Sequence, residues 1–336
     1  MKKLMAILTV ALLLLSFAAC GKQPAEDPTT TTTTTAAPAG KTKINICGIK
    51  GPTGVGFANL WKAQEDGTAQ NDYTFSLVSV PADAGNRVVT GEADIAAVPT
   101  NLAAALYKKT GGKVQILAVN TLGVLHIMEN GDTVKSIADL KGKTVYSTGE
   151  GANPEYILRY LLKANGLDPD KDVTLKFVAE NDELATLMVS GEAQIAMVPE
   201  PVATTIRVKK NTVRMALDVT AEWNKQDAGT LMMGCVIVSR EFAEKNPQAI
   251  AAFLKEYETS LNTAKSDVDG TAALCEKYEI IPKAAVAKQA IPNCNLTFVA
   301  GTEMQTQITG YFKVLFDANP SAVGGAMPDD GFYYKG

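Results

Sequence analysis

The chain has 336 residues, 46% hydrophobic and 20% charged, with a net charge of −4, which suits about two globular domains with a substantial core. A mildly acidic chain with no basic run lacks the Lys/Arg footprint that binds phosphate backbones, so nucleic acid is not an expected partner. His126 is the sole histidine. That argues against multi-histidine metal centres and leaves any Ser-His-Asp or Cys-His chemistry to one residue, and no metal or cofactor is expected.

Residues 1–19 read as an export signal. Lys2 and Lys3 supply the positive end, and Leu4–Phe17 is an apolar run of 14, short of the ~20 residues that span a bilayer. Ala18-Ala19-Cys20 resembles a bacterial lipobox, with Phe17 where that pattern usually has Leu. The expected product is a lipidated Cys20 that anchors the chain through two or more acyl chains. Residues 20–40 then hold seven consecutive threonines, Thr29–Thr35, and three prolines. Such a segment buries nothing and is expected to be a disordered tether, roughly 25 Å in r.m.s. span and ~70 Å at full stretch. A leash and a plain spacer are equally compatible with it.

The body alternates strand and helix patterns. Strands are expected at 44–49, 73–80, 94–98 and 114–119, with helices at 53–65, 83–90 and 100–109 between them. A second series follows, with strands at 144–147, 173–178, 194–198 and 213–217 and helices at 153–165, 182–190 and 201–210. The two series are copies. Val89-Thr90-Gly91-Glu92-Ala93-Asp94-Ile95-Ala96-Ala97-Val98-Pro99 recurs as Val189-Ser190-Gly191-Glu192-Ala193-Gln194-Ile195-Ala196-Met197-Val198-Pro199, offset by 100, and Lys43/Lys143, Gly51/Gly151 and Val78/Val178 keep the same register. One structural unit used twice explains this. Asn153 reads as the N-cap of its helix, with Pro154 in the first turn and Gly166 past the end. Strands separated by helices make βαβ units and parallel sheets.

The fold class is therefore α/β, with two Rossmann-like lobes and a two-segment hinge. The extended stretch 121–130 leaves lobe 1 and the apolar stretch 229–238 returns to it. Lobe 1 is assigned 41–125 plus 229–336, and lobe 2 is 131–228. Only helices are expected after 238. One carries Ile250, Phe253, Leu254, Tyr257 and Leu261, another Met304, Ile308, Tyr311, Phe312, Leu315 and Phe316, and both are expected to cover lobe 1.

Ligands in such sheets sit at strand C-termini, beside helix N-termini, and two hinged lobes close on them across a cleft. The first such turn is Lys50-Gly51-Pro52-Thr53-Gly54-Val55-Gly56. Its glycines either let backbone N–H groups approach an anion or merely form a tight turn. It matches neither a P-loop nor a dinucleotide fingerprint. The equivalent turn in lobe 2 is Ser147-Thr148-Gly149-Glu150-Gly151-Ala152-Asn153, where Glu155 already answers the helix dipole. At the next strand ends Pro99-Thr100-Asn101 faces Pro199-Glu200-Pro201. Glu is a poor N-cap, so Glu200 is either a placed carboxylate that accepts from an amine, amidine-like ring or hydroxyl, or a solvated acid. Trp223 either stacks on a ligand or packs. A Cys275–Cys294 disulfide is left open, 19 residues apart, while Cys47 and Cys235 read as core. Asp168–Asp172 opens like a calcium loop but has Val173 and Ala179 where Gly and Glu are needed. His126 has no nucleophile beside it in sequence and reads as a satisfied structural histidine.

Taken in order, Lys50-Gly51-Pro52-Thr53-Gly54, both Gly-Glu-Ala-x-Ile-Ala-x-Val-Pro segments, Pro199-Glu200-Pro201 and Ala290-Ile291-Pro292-Asn293-Cys294 resemble the solute-binding lipoproteins of ABC importers, in the branch with nitrate, sulfonate, taurine and thiamine-precursor binders. The resemblance spans about 41–335. It implies a type II periplasmic binding protein, held outside the cytoplasmic membrane by its lipid and acting as a monomer, that closes on a small organic ligand and passes it to ABC permease subunits. It places Thr53, Gly54, Thr100, Asn101, Thr148, Asn153 and Glu200 against the ligand, to which the turn glycines Gly51 and Gly149 and Trp223 are added here. The ligand's identity does not carry over: sulfonate-like and aminopyrimidine-like molecules both remain. The same lobes also host pyrimidine-precursor and menaquinone-pathway enzymes, and a ligand-binding surface sensor would look alike in sequence.

Overall fold

A computed structural model describes residues 40–336. The export signal, Cys20 and the Thr-rich tether lie outside the described residues. Within them, apolar strands and amphipathic helices alternate as β1 (Lys43–Ile49), α1 (Pro52–Val55), α2 (Ala58–Glu65), β2 (Asp72–Val78), α3 (Pro81–Thr90), β3 (Ile95–Pro99), α4 (Thr100–Lys109) and β4 (Val114–Leu122). The chain crosses to the second lobe through β5 (Leu125–Glu129), then forms β6 (Thr144–Ser147), α5 (Asn153–Ala164), β7 (Thr174–Phe177), α6 (Asn181–Ser190), β8 (Ile195–Pro199), α7 (Val202–Lys209), β9 (Arg214–Asp218) and α8 (Val219–Trp223). It returns through β10 (Met232–Ser239) and ends with α9 (Arg240–Lys245), α10 (Pro247–Ser266), α11 (Val268–Lys277), α12 (Ala284–Ala290), β11 (Leu296–Ala300) and α13 (Gly301–Ala318).

The strand order is β11-β4-β10-β3-β1-β2 in one sheet and β7-β6-β8-β5-β9 in the other. Without the edge strand β11 the two orders are the same. β1 runs parallel to β2 and β3, and β6 parallel to β7 and β8. The sheets are nevertheless mixed, where the βαβ reading gave purely parallel ones. β10 lies antiparallel between β3 and β4, and β5 antiparallel between β8 and β9. The reason is connectivity: each of these strands enters from the other lobe without a crossover helix, so it fills the same slot in the opposite direction.

Two further differences matter for the site. The 53–65 helix is broken into α1 and α2, because α10 crosses tightly there: a Cβ on Gly56 would stand 2.6 Å from Tyr257 Oη. The C-terminal region also holds a strand, β11, paired antiparallel with β4. Its five residues, Leu-Thr-Phe-Val-Ala, are too few to show a strand period between α12 and α13.

One core lies under α10, where Phe253, Tyr257 and Leu261 cover Ile46, Leu117 and Val236. A second core is continuous between the lobes. It joins Val98 and Ala103 of one to Leu125, Ile157, Leu161 and Trp223 of the other, with Tyr311 and Leu315 of α13 among them. So α13 does not simply cover lobe 1, as its amphipathic stripe suggested. Each such side chain contributes about 1.5–3 kcal/mol when fully buried, and those of the second core depend on both lobes being together. Among the described residues no helix is long and apolar enough to cross a membrane.

Candidate functional site

The repeat brings the helix starts of both lobes to one seam. In lobe 1, β3 runs straight into α4, so Thr100 and Asn101 fall in its first turn. Thr100 is fully buried and its Oγ1 donates to the Met232 carbonyl at 2.7 Å. Asn101 is half-buried and points across the seam. In lobe 2, Ala152 takes the N-cap of α5, and Asn153 is the first helical residue. Asn153 does not cap its own helix. Its Nδ2 donates to Asn101 Oδ1 at 2.8 Å, and its Oδ1 is buried with no hydrogen-bond partner. Tyr156 Oη, one turn on, donates to the Gly151 carbonyl and accepts from Asn319 Nδ2 of lobe 1, both at 2.8 Å.

Glu200 lies at the same seam, after β8. Its carboxylate accepts from Thr204 N at 3.2 Å and Thr204 Oγ1 at 3.0 Å, so it caps α7 from just outside the helix, satisfying one of the first-turn amides that have no partner within it. It is 1% exposed. Burial raises its pKa, opposed by the Thr204 bonds, by Asn293 and by the more distant Arg207 charge. Asn293 and Cys294 belong to lobe 1. A Cβ on Gly51 of that lobe would stand only 3.9 Å from Pro201 Cδ. Glu200 is thus enclosed by both lobes and is not a solvated acid.

The glycine turns behave differently from an anion cradle. Gly51 N donates to the Ile280 carbonyl and Gly54 N to the Gly51 carbonyl, both at 3.0 Å. A Cβ on Gly54 would stand 2.2 Å from the Ile49 carbonyl oxygen. Gly51, at φ +106°, makes the turn itself. These glycines serve backbone geometry and close approach, and α1 is a single turn of four residues. Thr53 is half-buried, with its carbonyl accepting from Asn120 Nδ2 at 3.2 Å. Asn120 also donates to Tyr257 Oη at 2.7 Å. In lobe 2, Thr148 Oγ1 donates to Asn181 Oδ1 at 3.0 Å, and Gly149 lies against the Pro154 ring.

Other expectations are corrected. Trp223 offers no free stacking face. It is fully buried between Tyr160 and Tyr311, at ring distances of 4.9 and 5.8 Å, and Nε1 donates to the Gly229 carbonyl at 2.9 Å. Cys275 and Cys294 are free and buried, as are Cys47 and Cys235, so the bridge left open is not formed. Burial pushes the Cys275 thiol up to about 12, which makes it inert as a thiolate. His126 is structural in place but not satisfied: neither ring nitrogen has a hydrogen-bond partner, and Nε2 is 3.9 Å from Glu200 Oε1.

Asn120, Tyr156, Asn319 and the pairing of His126 with Glu200 were not found from sequence. Apart from the Gly151 carbonyl that Tyr156 reaches, their partners are tens to hundreds of residues away along the chain, and no local pattern marks them.

The two equivalent sheets, the crossing strands and the seam between helix N-termini define a type II periplasmic binding protein fold. The chain belongs to the NMT1/THI5-like family, whose model matches residues 79–269, more than half of its length. An ABC transporter structure from Parabacteroides distasonis is 22% identical, with a TM-score of 0.75, over 88% of this chain and 99% of that one. The periplasmic aliphatic sulphonate binding protein SsuA of Escherichia coli is 16% identical, with a TM-score of 0.68, over 84% and 94%. The periplasmic nitrate-binding protein NrtA of Synechocystis PCC 6803 is 15% identical, with a TM-score of 0.55, over 79% and 74%. At these identities the likeness is one of fold. No curated protein matches the chain in sequence.

Proposed function

We propose that the protein is the extracytoplasmic solute-binding component of an ABC importer, anchored through Cys20, that closes its lobes on a small organic molecule and delivers it to a permease. The seam between Asn101, Asn153 and Glu200 carries this reading. It is where the lobes meet, and it presents acceptors: the unpartnered Oδ1 of Asn153 and the buried carboxyl of Glu200. A buried acceptor without a donor costs about 1–3 kcal/mol, which a ligand donor would recover. The Gly51 and Gly54 N–H groups that would have favoured an anion are engaged by the Ile280 and Gly51 carbonyls.

The ligand therefore bears N–H or O–H donors, as an aminopyrimidine with a polar tail does; plain nitrate offers none. Binding rather than catalysis fits a site whose one histidine has no nucleophile in hydrogen-bond contact. The purified chain without residues 1–19, unfolded mildly to strip any solute, should be stabilised thermally by amino-substituted pyrimidines and not by nitrate. Native mass spectrometry of the untreated protein should show a co-purified nitrogen heterocycle. Stabilisation by sulfonates or small anions alone would overturn the ligand class, and stabilisation by no solute in a broad panel would overturn the reading itself.

A further inference from the structure

His126 is the histidine that the binding reading leaves without a task. It is 2% exposed, on β5, opposite Asp218 in the β9 register and Val198 in the β8 register. Alternation along β5 turns it to the α7 face, where Glu200 caps the helix. Neither imidazole nitrogen has a partner, and Nε2 stands 3.9 Å from Glu200 Oε1, just beyond hydrogen-bond length. Every charged group that faces the pair can be named. Asp218 on β9 favours the imidazolium, Arg207 on α7 opposes it, and Cys294 of lobe 1 lies near the carboxyl. Asp218 is itself held, its Oδ1 accepting from Thr220 N at 2.8 Å and Ala221 N at 3.3 Å.

We propose that His126 is a positioning residue for Glu200: the two share one proton at the lobe seam, and this proton fixes where the Glu200 carboxyl points and what charge it shows to the ligand. In the ligand-free seam that proton is divided between Glu200 Oε1 and His126 Nε2, so each group carries part of its charge. When a ligand donor takes up the carboxylate, the Glu200 O–H bond breaks, an Nε2–H bond forms on His126, and Asp218 faces the resulting imidazolium. No proton enters or leaves. Replacing buried Glu200 by a neutral isostere removes the charge that favours imidazolium, so the two residues must titrate as a pair. The proposal rests on Glu200 facing the ligand, but the coupling itself is a property of the empty protein.

Because His126 is the sole histidine, imidazole ¹⁵N resonances report it without assignment. In the ligand-free chain lacking residues 1–19, His126 should titrate below the ordinary value of 6.5. In Glu200→Gln the titration should move down further, by about one pH unit. Equal titrations in the two proteins would overturn the proposal. Should Glu200→Gln fail to fold, the wild-type spectrum decides alone: Nε2 must show a hydrogen-bonded shift, and the shift of an unbonded basic nitrogen overturns the pair. With 4-aminopyrimidine as probe, wild-type affinity should be flat between pH 6 and 8, whereas in His126→Gln the proton must leave to solvent and affinity should rise about tenfold per pH unit below the Glu200 titration. A flat profile in both proteins also overturns it. Failure of 4-aminopyrimidine to bind at all, with the coupled titration intact, overturns the ligand class and leaves the pair standing.

Discussion

Asn153 Nδ2 and Asn101 Oδ1 meet at 2.8 Å, and that one hydrogen bond joins the first turn of α5 in one lobe to the first turn of α4 in the other. Positions 53 and 153 are equivalents in the repeat, but the bond pairs 153 with 101. It is made between different places in the two copies, at the point where they face each other. Asn153→Ala removes the donor and also the unpartnered Oδ1. Stability should fall by only about 1 kcal/mol while ligand affinity falls about tenfold, and small-angle scattering should show a larger radius of gyration without ligand. An unchanged radius would mean that the bond does not hold the lobes together.

Glu200→Gln tests the acid at the seam. The amide keeps the shape and one of the two bonds from Thr204, and burial already penalises the charge it removes, so folding stability should change by no more than about 1 kcal/mol. Affinity for the aminopyrimidine class should drop more than tenfold. Calorimetric titration that gives equal affinities would make Glu200 a helix cap and nothing more.

Trp223→Ala empties the core shared by the lobes. A fully buried indole between Tyr160 and Tyr311 should cost about 3–5 kcal/mol, read from urea unfolding. Loss of affinity without loss of stability would return Trp223 to the ligand.

Glu129 governs acid stability. Burial pushes its pKa up, but bonds from Thr133 N and Oγ1, Val134 N and Arg214 outweigh that and bring it to about 2. A depressed pKa stabilises the fold above the unfolded value of 4.5 and loses that contribution as pH falls toward 2. Glu129→Gln should therefore lower stability at pH 7 by roughly 3 kcal/mol and flatten the dependence between pH 5 and 2. A parallel pH profile for the variant would contradict this.

The cysteines give a simple control. With Cys275 and Cys294 free, a thiol reductant should leave the melting temperature unchanged. A drop of several degrees would show that the two are bridged in solution.

Most of the fold could be read along the chain because its causes are local. The 100-residue offset survives as β3 and β8, Ile95–Pro99 and Ile195–Pro199, and as α3 and α6, which end at Gly91 and Gly191 in the left-handed conformation. Apolar periodicity and a glycine stop act within a few residues, so they are written in sequence. The same is true of the helix starts that carry Asn101 and Asn153 and of the strand end before Glu200.

What those residues do was decided by tertiary structure. β5 and β10 run antiparallel because each enters the other lobe's sheet directly. Thr100 turned inward to Met232, Trp223 was taken by Tyr311 of a helix nearly ninety positions later, and Glu200 was enclosed by Asn293 and Cys294. Each outcome depends on which buried group finds a partner first at hydrogen-bond or van der Waals range, and that competition is settled only when distant segments are packed together.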